Sequence, residues 1–212
     1  MLPVTLDLAR LRVLLVGNGA TALRRLRLLD EAGARNLHVR ADAPTPELAA
    51  VAGARLHREL PTHDAFAEID VVFLAGLDAA VGERLAAAAR AAKALVNVED
   101  ETALCDFHSS ATLRRGDLVV SVSTGGRSPG LASRLRRHLE TLIGPEWQTR
   151  LDEIARRRQD WREAGADGIE IGRWTDQWLE RQGWLKPPAP TRPGNDHNAT
   201  RLKGELHVAS SR

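Results

Sequence analysis

Four consecutive apolar residues, Val13, Leu14, Leu15 and Val16, run directly into Gly17-Asn18-Gly19-Ala20-Thr21-Ala22, and an Ala/Leu/Arg stretch of helical character follows. A short unbroken apolar run reads as a strand buried on both faces, the kind found in parallel sheets covered by helices. Gly17 permits a tight turn out of that strand. Gly19 leaves the backbone bare where a phosphate would approach, and Ala22 is small enough for the helix to pack on its strand. The first turn of such a helix carries unpaired N–H groups and the positive end of the helix dipole, which suit an anion. Gly33, in Glu31-Ala32-Gly33-Ala34, supplies the stop. A Gly-x-Gly-x-x-Ala match alone is weak. With a strand before it and a helix after it, the match predicts a dinucleotide-binding turn, with Gly17, Asn18, Gly19, Ala20, Thr21 and Ala22 as cofactor-binding candidates.

Strand and helix signals go on alternating. Strands are expected over 11–16, 36–40, 54–58, 70–75 and 94–98, with helices over 20–32 and 79–92. This alternation predicts an α/β chain built on a Rossmann-like, doubly wound parallel sheet. Ligands in such sheets lie beyond the carboxyl ends of the strands, so the turns carrying Gly17, Gly76 and Asp100 are expected along one edge. Gly76 and Leu77 therefore join the cofactor-binding candidates. An acid about 20 residues past the glycines often holds the ribose of NAD, and Asp42 is the nearest. Arg40 is equally close and would suit the extra phosphate of NADP, so both cofactors stay open on this ground.

From Leu113 the pattern changes. Residues 114–117 read as a turn and 118–123 as an alternating strand. Thr124-Gly125-Gly126-Arg127-Ser128-Pro129 is a loop feeding a helix, with Ser128 suited to the N-cap and Pro129 to the first helical position. Leu131, Leu135, Leu139 and Leu142 form one apolar stripe, while Arg134, Arg137 and His138 face elsewhere. So small a strand–helix pair needs a partner, and a second copy of the chain would supply one. Gly144-Pro145 ends the helix, 146–164 reads as another, and a short helical piece carries Trp174, Trp178 and Trp184. All five tryptophans follow residue 146, which fits small helices packing on one another better than an aromatic ligand cage. The expected division is 1–112 as the nucleotide-binding domain, 113–145 as a dimerisation region, 146–185 as a small helical domain and 186–212 as a disordered polar tail.

No apolar run approaches the ~18 residues of a membrane span. The N-terminal residues lack the basic and apolar regions of a signal peptide, and a lone cysteine, Cys105, excludes an internal disulfide. A cytoplasmic address follows as the expectation. Residues 113–162 hold 11 arginines, no lysine and six acids. Such a basic segment can mean a nucleic acid, an acidic small molecule or merely a solvated helix face; no nucleic-acid motif accompanies it, so a nucleic-acid partner is not expected.

Glu99, Asp100 and Glu101 follow a strand directly, on the side where a nicotinamide would lie. A carboxylate there can act as general base or acid, and spacing does not separate the three. Cys105, Asp106 and His108 are ligand-type side chains without the spacing of a metal motif, so no metal site is expected. Ser128 has no sequence partner suggesting a triad. The Gly125-Gly126 loop and the helix N-terminus could receive a carboxylate, with Arg127 adjacent.

Together these residues resemble the bifunctional precorrin-2 dehydrogenase/sirohydrochlorin ferrochelatase family, the NAD-binding module of siroheme synthases. The resemblance rests on Val16 to Ala22, on Leu28-Leu29-Asp30-Glu31-Ala32-Gly33-Ala34, on Val96-Asn97-Val98-Glu99-Asp100, and on Val122-Ser123-Thr124-Gly125-Gly126-Arg127-Ser128-Pro129-Gly130-Leu131-Ala132. It covers about residues 5–145. It implies a homodimer in which NAD takes a hydride from precorrin-2 to give sirohydrochlorin, after which the same cleft receives Fe²⁺ as a chelatase substrate. The family's catalytic aspartate, in its Asn-Val-x-Asp motif, falls on Asp100. The tetrapyrrole's carboxylate arms then make Gly125, Gly126, Arg127, Ser128, Arg134 and Arg137 the substrate-binding candidates, and His108 a candidate relay for an incoming metal ion. Two alternatives remain: a dehydrogenase with a separate chelatase, or a non-catalytic dinucleotide or tetrapyrrole sensor. The chain departs from the family at Gly76-Leu77-Asp78, where Ala-Thr-Asp-Asp is usual, at Gly82, where an Asn is common, and at Phe107-His108-Ser109-Ser110, where Phe-x-x-Pro is expected. No stretch resembles the fused methyltransferase of longer siroheme synthases, so that step is expected to belong to another protein.

Overall fold

A computed structural model describes residues 2–185. The tail expected at 186–212 lies outside the described residues. The chain divides into two compact units, Met1–Trp147 and Gln148–Arg212.

The first unit opens with β1 (Arg12–Gly17), α1 (Gly19–Glu31), β2 (Asn36–Arg40), α2 (Pro46–Ala52) and β3 (Leu56–His57). It continues with β4 (Val71–Ala75), α3 (Ala79–Ala91) and β5 (Leu95–Val98). The strands form one parallel sheet in the order β3-β2-β1-β4-β5. The chain leaves β1 toward β2 on one side and returns to β4 on the other, which opens a crevice at the carboxyl end of β1.

Burial explains the unbroken apolar run. Val13 and Leu15 face Ala22, Leu26 and Leu29 of α1 and Leu48 of α2. Leu14 and Val16 face the opposite layer, with Phe66 and with Leu85, Ala86 and Ala89 of α3. Leu14 is 1% exposed, and emptying such a site to alanine costs about 2–5 kcal/mol. Helix α2 begins at Thr45, whose Oγ1 accepts from the Leu48 N–H at 3.2 Å, with Pro46 in the first turn. Strand β3 is shorter than the stretch expected over 54–58, because residues Gly53–Arg55 are wound into a 3₁₀ turn.

Beyond the sheet, β6 (Ala111–Arg115) pairs antiparallel with β7 (Leu118–Val122), Leu113 opposite Val120, and α4 (Pro129–Leu142) follows. The turn expected over 114–117 shrinks to Gly116 and Asp117, with Gly116 at positive φ in the first turn position. Arg114 and Arg115 are strand residues, held there by pairing with Val119 and Leu118 rather than by any pattern of their own. Ser128 caps α4, its Oγ accepting from the Leu131 N–H at 3.3 Å. The leucine stripe of α4 is not its packed face: Ala132 is buried, whereas Leu131, Leu135 and Leu142 are 50%, 42% and 49% exposed. Only a small residue lets the helix lie close on the two-stranded sheet.

In the second unit, α5 (Trp147–Glu163) leads to α6 (Gly168–Gln182), a 15-residue helix where only a short piece was expected. Asp167 and Glu170 form a reciprocal capping box at its start. Trp161 meets Trp174 edge-on at 5.8 Å, and Trp178 meets Trp184 at 4.8 Å. These tryptophans pack on one another. Among the described residues, no helix is long and apolar enough to cross a membrane.

Candidate active site

The glycine turn is tied to β4 by contact. A Cβ on Gly17 would stand 1.7 Å from the Ala75 carbonyl oxygen, so only glycine lets β1 end there. Gly19, at φ +67°, has nothing within 4 Å of where a Cβ would be. It therefore faces open space in front of the first turn of α1. Ala22 is fully buried beneath that turn, as close helix–strand packing requires. Gly76 is constrained too: its φ is +67°, and a Cβ would come 2.3 Å from the Asn18 carbonyl oxygen. The Gly76 turn thus lies against the backbone of the glycine turn, with Thr21 and Leu77 both lining the cleft beside them.

Asn18 fastens the glycine turn to the end of β2. Its Nδ2 donates to Asp42 Oδ1 at 2.7 Å, and its Oδ1 accepts from the Ala43 N–H at 3.1 Å. Asp42 remains exposed, and its second oxygen makes no further bond within the described residues. Arg40 points to the other side of the sheet, lining a cavity with Arg12, His38 and His57, and pairs with Glu59 at 2.8 Å.

Two clefts meet at the end of β5. One, of about 230 Å³, is lined by Thr21, Gly76, Leu77, Asp78 and Gly82. The other, of about 380 Å³, lies between α1 and the β6–β7–α4 region and is lined by Arg24, Arg25, Asn97, His108 and Gly126 among others. Glu99, Asp100 and Glu101 line both. The small Gly82, 3.9 Å from Val98 Cγ1 at the position of a Cβ, leaves the first cleft open.

The three acids are not equivalent. Glu99 Oε1 accepts from Arg24 Nη2 at 2.7 Å, and Oε2 accepts from Arg25 Nη2. Burial works to raise the Glu99 pKa, but the Arg25 and Arg24 guanidiniums overcome it and hold Glu99 below the usual carboxylate range. Asp100 sits at φ +64°, a left-handed conformation that Asp tolerates better than most residues. Its carboxylate is exposed and makes no hydrogen bond or ion pair within the described residues.

The loop behind Asp100 is held by side chains that cap the free edge of β5. Asn97, 5% exposed, donates from Nδ2 to the Phe107 carbonyl oxygen at 2.9 Å. Cys105 Sγ accepts from the Val98 N–H at 3.2 Å. Asp106 accepts from the Val96 N–H at 2.9 Å and from Arg90 Nε at 2.8 Å. Cys105, Asp106 and His108 thus serve separate tasks, with only Cys105 and His108 lining the larger cleft. No group of three or more His, Cys, Asp or Glu side chains among the described residues could hold a metal ion.

Of the expected substrate-binding residues, Gly126 lines the larger cleft. Gly125, Arg127, Ser128, Arg134 and Arg137 do not: Ser128 is engaged as the N-cap, and Arg134 and Arg137 are exposed on α4. The arginines that do line it, Arg24 and Arg25, come from α1 and were not singled out from the sequence. Their position one helical turn beyond the glycine turn was the available signal.

Residues 4–111 match the family described as putative NAD(P)-binding, and residues 115–142 match that described as sirohaem biosynthesis protein, central. The chain is 39% identical over 157 residues to siroheme synthase 1 of Cronobacter sakazakii, covering 73% of this chain and 33% of the relative. It is 35% identical over 215 residues to the siroheme synthase of Methylococcus capsulatus, covering 100% of this chain and 44% of the relative. The chain thus spans less than half the length of these relatives. Among solved structures, one titled "SirC, precorrin-2 dehydrogenase" superposes with a TM-score of 0.70 at 21% identity, covering 88% of this chain and 93% of that one. The NAD(P)-binding match spans just over half of the chain, and the adjoining match continues it: the chain belongs to the putative NAD(P)-binding family, joined here to the central segment of sirohaem biosynthesis proteins.

Proposed function

We propose that this chain is a cytoplasmic NAD-dependent precorrin-2 dehydrogenase yielding sirohydrochlorin. One observation carries the reading: Asp100, at the aspartate of the Asn-Val-x-Asp motif and, like Glu101, with an unpaired carboxylate, lines both the cleft beside the glycine turn and the larger cleft facing the hairpin. A base so placed serves a reaction between two bound molecules.

The first-turn N–H groups of α1 and the bare backbone at Gly19 receive the pyrophosphate, and the free oxygen of Asp42 accepts from a ribose hydroxyl. NAD is favoured over NADP because Arg40 is engaged by Glu59 on the other side of the sheet. Bound NAD supplies the hydride acceptor. Oxidation of the macrocycle also releases a proton, and Asp100 takes it. Glu99, Asn97 and Cys105 keep the Asp100 backbone in place. A macrocycle filling the cleft excludes water from the space around Asp100.

Insertion of Fe²⁺ as a second substrate belongs to the same reading. It requires removal of pyrrole protons, again a task for Asp100, and His108 lines the same cleft. Residues 1–112 are the NAD-binding domain, 113–145 a dimerisation region and 146–185 a small helical domain. Support for a homodimer comes from Leu131, Leu135 and Leu142, exposed together on α4.

The test is anaerobic turnover of precorrin-2 with NAD, wild type against Asp100→Asn, with Fe²⁺ added after the first phase. Asn keeps the left-handed backbone and removes the base, so turnover is expected to fall about 10²–10⁴-fold with NAD binding retained. Iron-dependent conversion faster than without protein, and slowed by His108→Ala, supports the chelatase step; its absence leaves a dehydrogenase alone. Tetrapyrrole binding without turnover on either NAD or NADP identifies a sensor instead.

A further inference from the structure

We propose that Arg24 and Arg25 form an anion clamp for a carboxylate arm of the tetrapyrrole, and that Glu99 is the internal carboxylate displaced from Arg24 when the arm arrives. The identity of the ligand rests on the dehydrogenase reading; the clamp itself rests on geometry.

Three observations lead to it. First, the arginines lining the larger cleft are these two, whereas the basic surface of α4 lies outside it. A polycarboxylate entering that cleft meets Asp100 and Glu101, so its own charge has to be answered within the cleft. Second, the two arginines share one carboxylate, each bonded to a different oxygen of Glu99. Third, the two halves of the clamp differ. Arg25 is 11% exposed, donates to Ser109 Oγ at 2.7 Å as well as to Glu99, and lies 5.3 Å over the Phe73 ring. It is fixed from three sides. Arg24 is 63% exposed with Glu99 as its partner, so its guanidinium fork is free to turn toward an incoming carboxylate. Glu99 holds the pair together in the empty cleft, since two adjacent guanidiniums without a shared anion would repel. Because Glu99 directly precedes Asp100, an arm taken by Arg24 is anchored beside the proposed base.

The test uses uroporphyrin I, a polycarboxylate porphyrin, as the binding probe on the full chain, followed by fluorescence quenching, with NADH binding measured in parallel. Arg24→Gln removes one charge-assisted contact and is expected to weaken uroporphyrin binding about tenfold while leaving NADH binding unchanged. Arg25→Lys keeps the charge but loses the fork, and is expected to weaken binding less. Glu99→Gln removes the internal competitor and is expected to tighten binding. Opposite signs for Arg24→Gln and Glu99→Gln are the signature, because a purely structural role moves both the same way. Wild type that binds uroporphyrin with Arg24→Gln unaffected, or weaker binding by Glu99→Gln, overturns the clamp and leaves the dehydrogenase reading standing. Wild type that binds no polycarboxylate porphyrin overturns both.

Discussion

Gly17 and Ala75 meet so closely that a methyl group on Gly17 would lie 1.7 Å from the Ala75 carbonyl oxygen. The same carbonyl accepts from the Asn18 N–H at 3.2 Å, so the end of β4 positions the glycine turn. Gly17→Ala must push β1 and β4 apart at the crevice. The expected result is a loss of about 1–3 kcal/mol in stability, the range for overpacking a filled site, together with loss of NAD binding. Thermal unfolding and NAD titration check the two effects separately. Gly19→Ala, with open space around it, is expected to leave stability nearly unchanged, apart from the strain of its positive φ, and to impair NAD binding alone.

Asp42 is oriented by the Asn18 amide at 2.7 Å. Replacing it with Ala removes a charged acceptor from the nucleotide side, and NAD affinity is expected to drop about tenfold. Calorimetry with NAD and NADP on wild type and variant reads this directly. Tighter binding of NADP than NAD by the wild type would contradict the assignment of Asp42 to the ribose.

Asp70 accepts from Arg12 Nε and Nη2 and from the Arg12 backbone N–H, and these bonds hold its carboxyl at a pKa of about 2, below the ordinary 3.8. A depressed folded-state pKa contributes stability above the unfolded-state value, and that contribution is lost as pH falls through the folded-state value. Asp70→Asn is therefore expected to lower the melting temperature at pH 7. The difference from wild type should shrink as pH falls below about 4 and disappear near about 2. Melting temperatures of both proteins across this range provide the check.

Asn97 keeps the Asp100 loop against β5. Asn97→Ala leaves the Phe107 carbonyl without its 2.9 Å donor, a loss of about 1–3 kcal/mol. Stability and kcat are expected to fall together, whereas Asp100→Asn lowers kcat alone. Paired unfolding curves and turnover rates distinguish a supporting residue from the base.

Leu131 and Leu135 are the exposed apolar residues at the start of α4. Replacing both with Glu places charge on a face that its own chain leaves about half exposed. Light scattering is expected to report a monomer in place of a dimer, with the secondary structure intact. A wild type that is already monomeric at micromolar concentration would remove the dimer.

Much of the sheet could be read directly from the chain. Val13 to Val16 lie under helices on both faces, and the apolar run marks them without ambiguity. Gly17 and Gly19 likewise carry a backbone requirement that is visible as residue type. The hairpin was harder: Arg114 and Arg115 have neither alternation nor β-branching and become strand through their partners in β7. The leucine stripe of α4 was visible, but not which face would pack, because Ala132 rather than a leucine makes the contact.

The candidate site divides along the same line. Local chemistry declares itself in one dimension: a turn needs glycine, a cap needs serine, and a burst of acids after a strand suggests a base. The relation of Asp42 to Asn18 and of Glu99 to Arg24 and Arg25 joins segments 24, 75 and 74 positions apart. No periodicity records such a meeting. Three neighbouring acids were indistinguishable by spacing; the fold sets Glu99 apart by pairing it with two arginines and leaves Asp100 and Glu101 both unpaired. The arginine-rich region was visible by composition, yet the arginines in the cleft come from α1. Charge counted along a chain is blind to which side chains a fold turns toward the same space; residue type carries local backbone needs, and only packing decides which distant groups share a cavity.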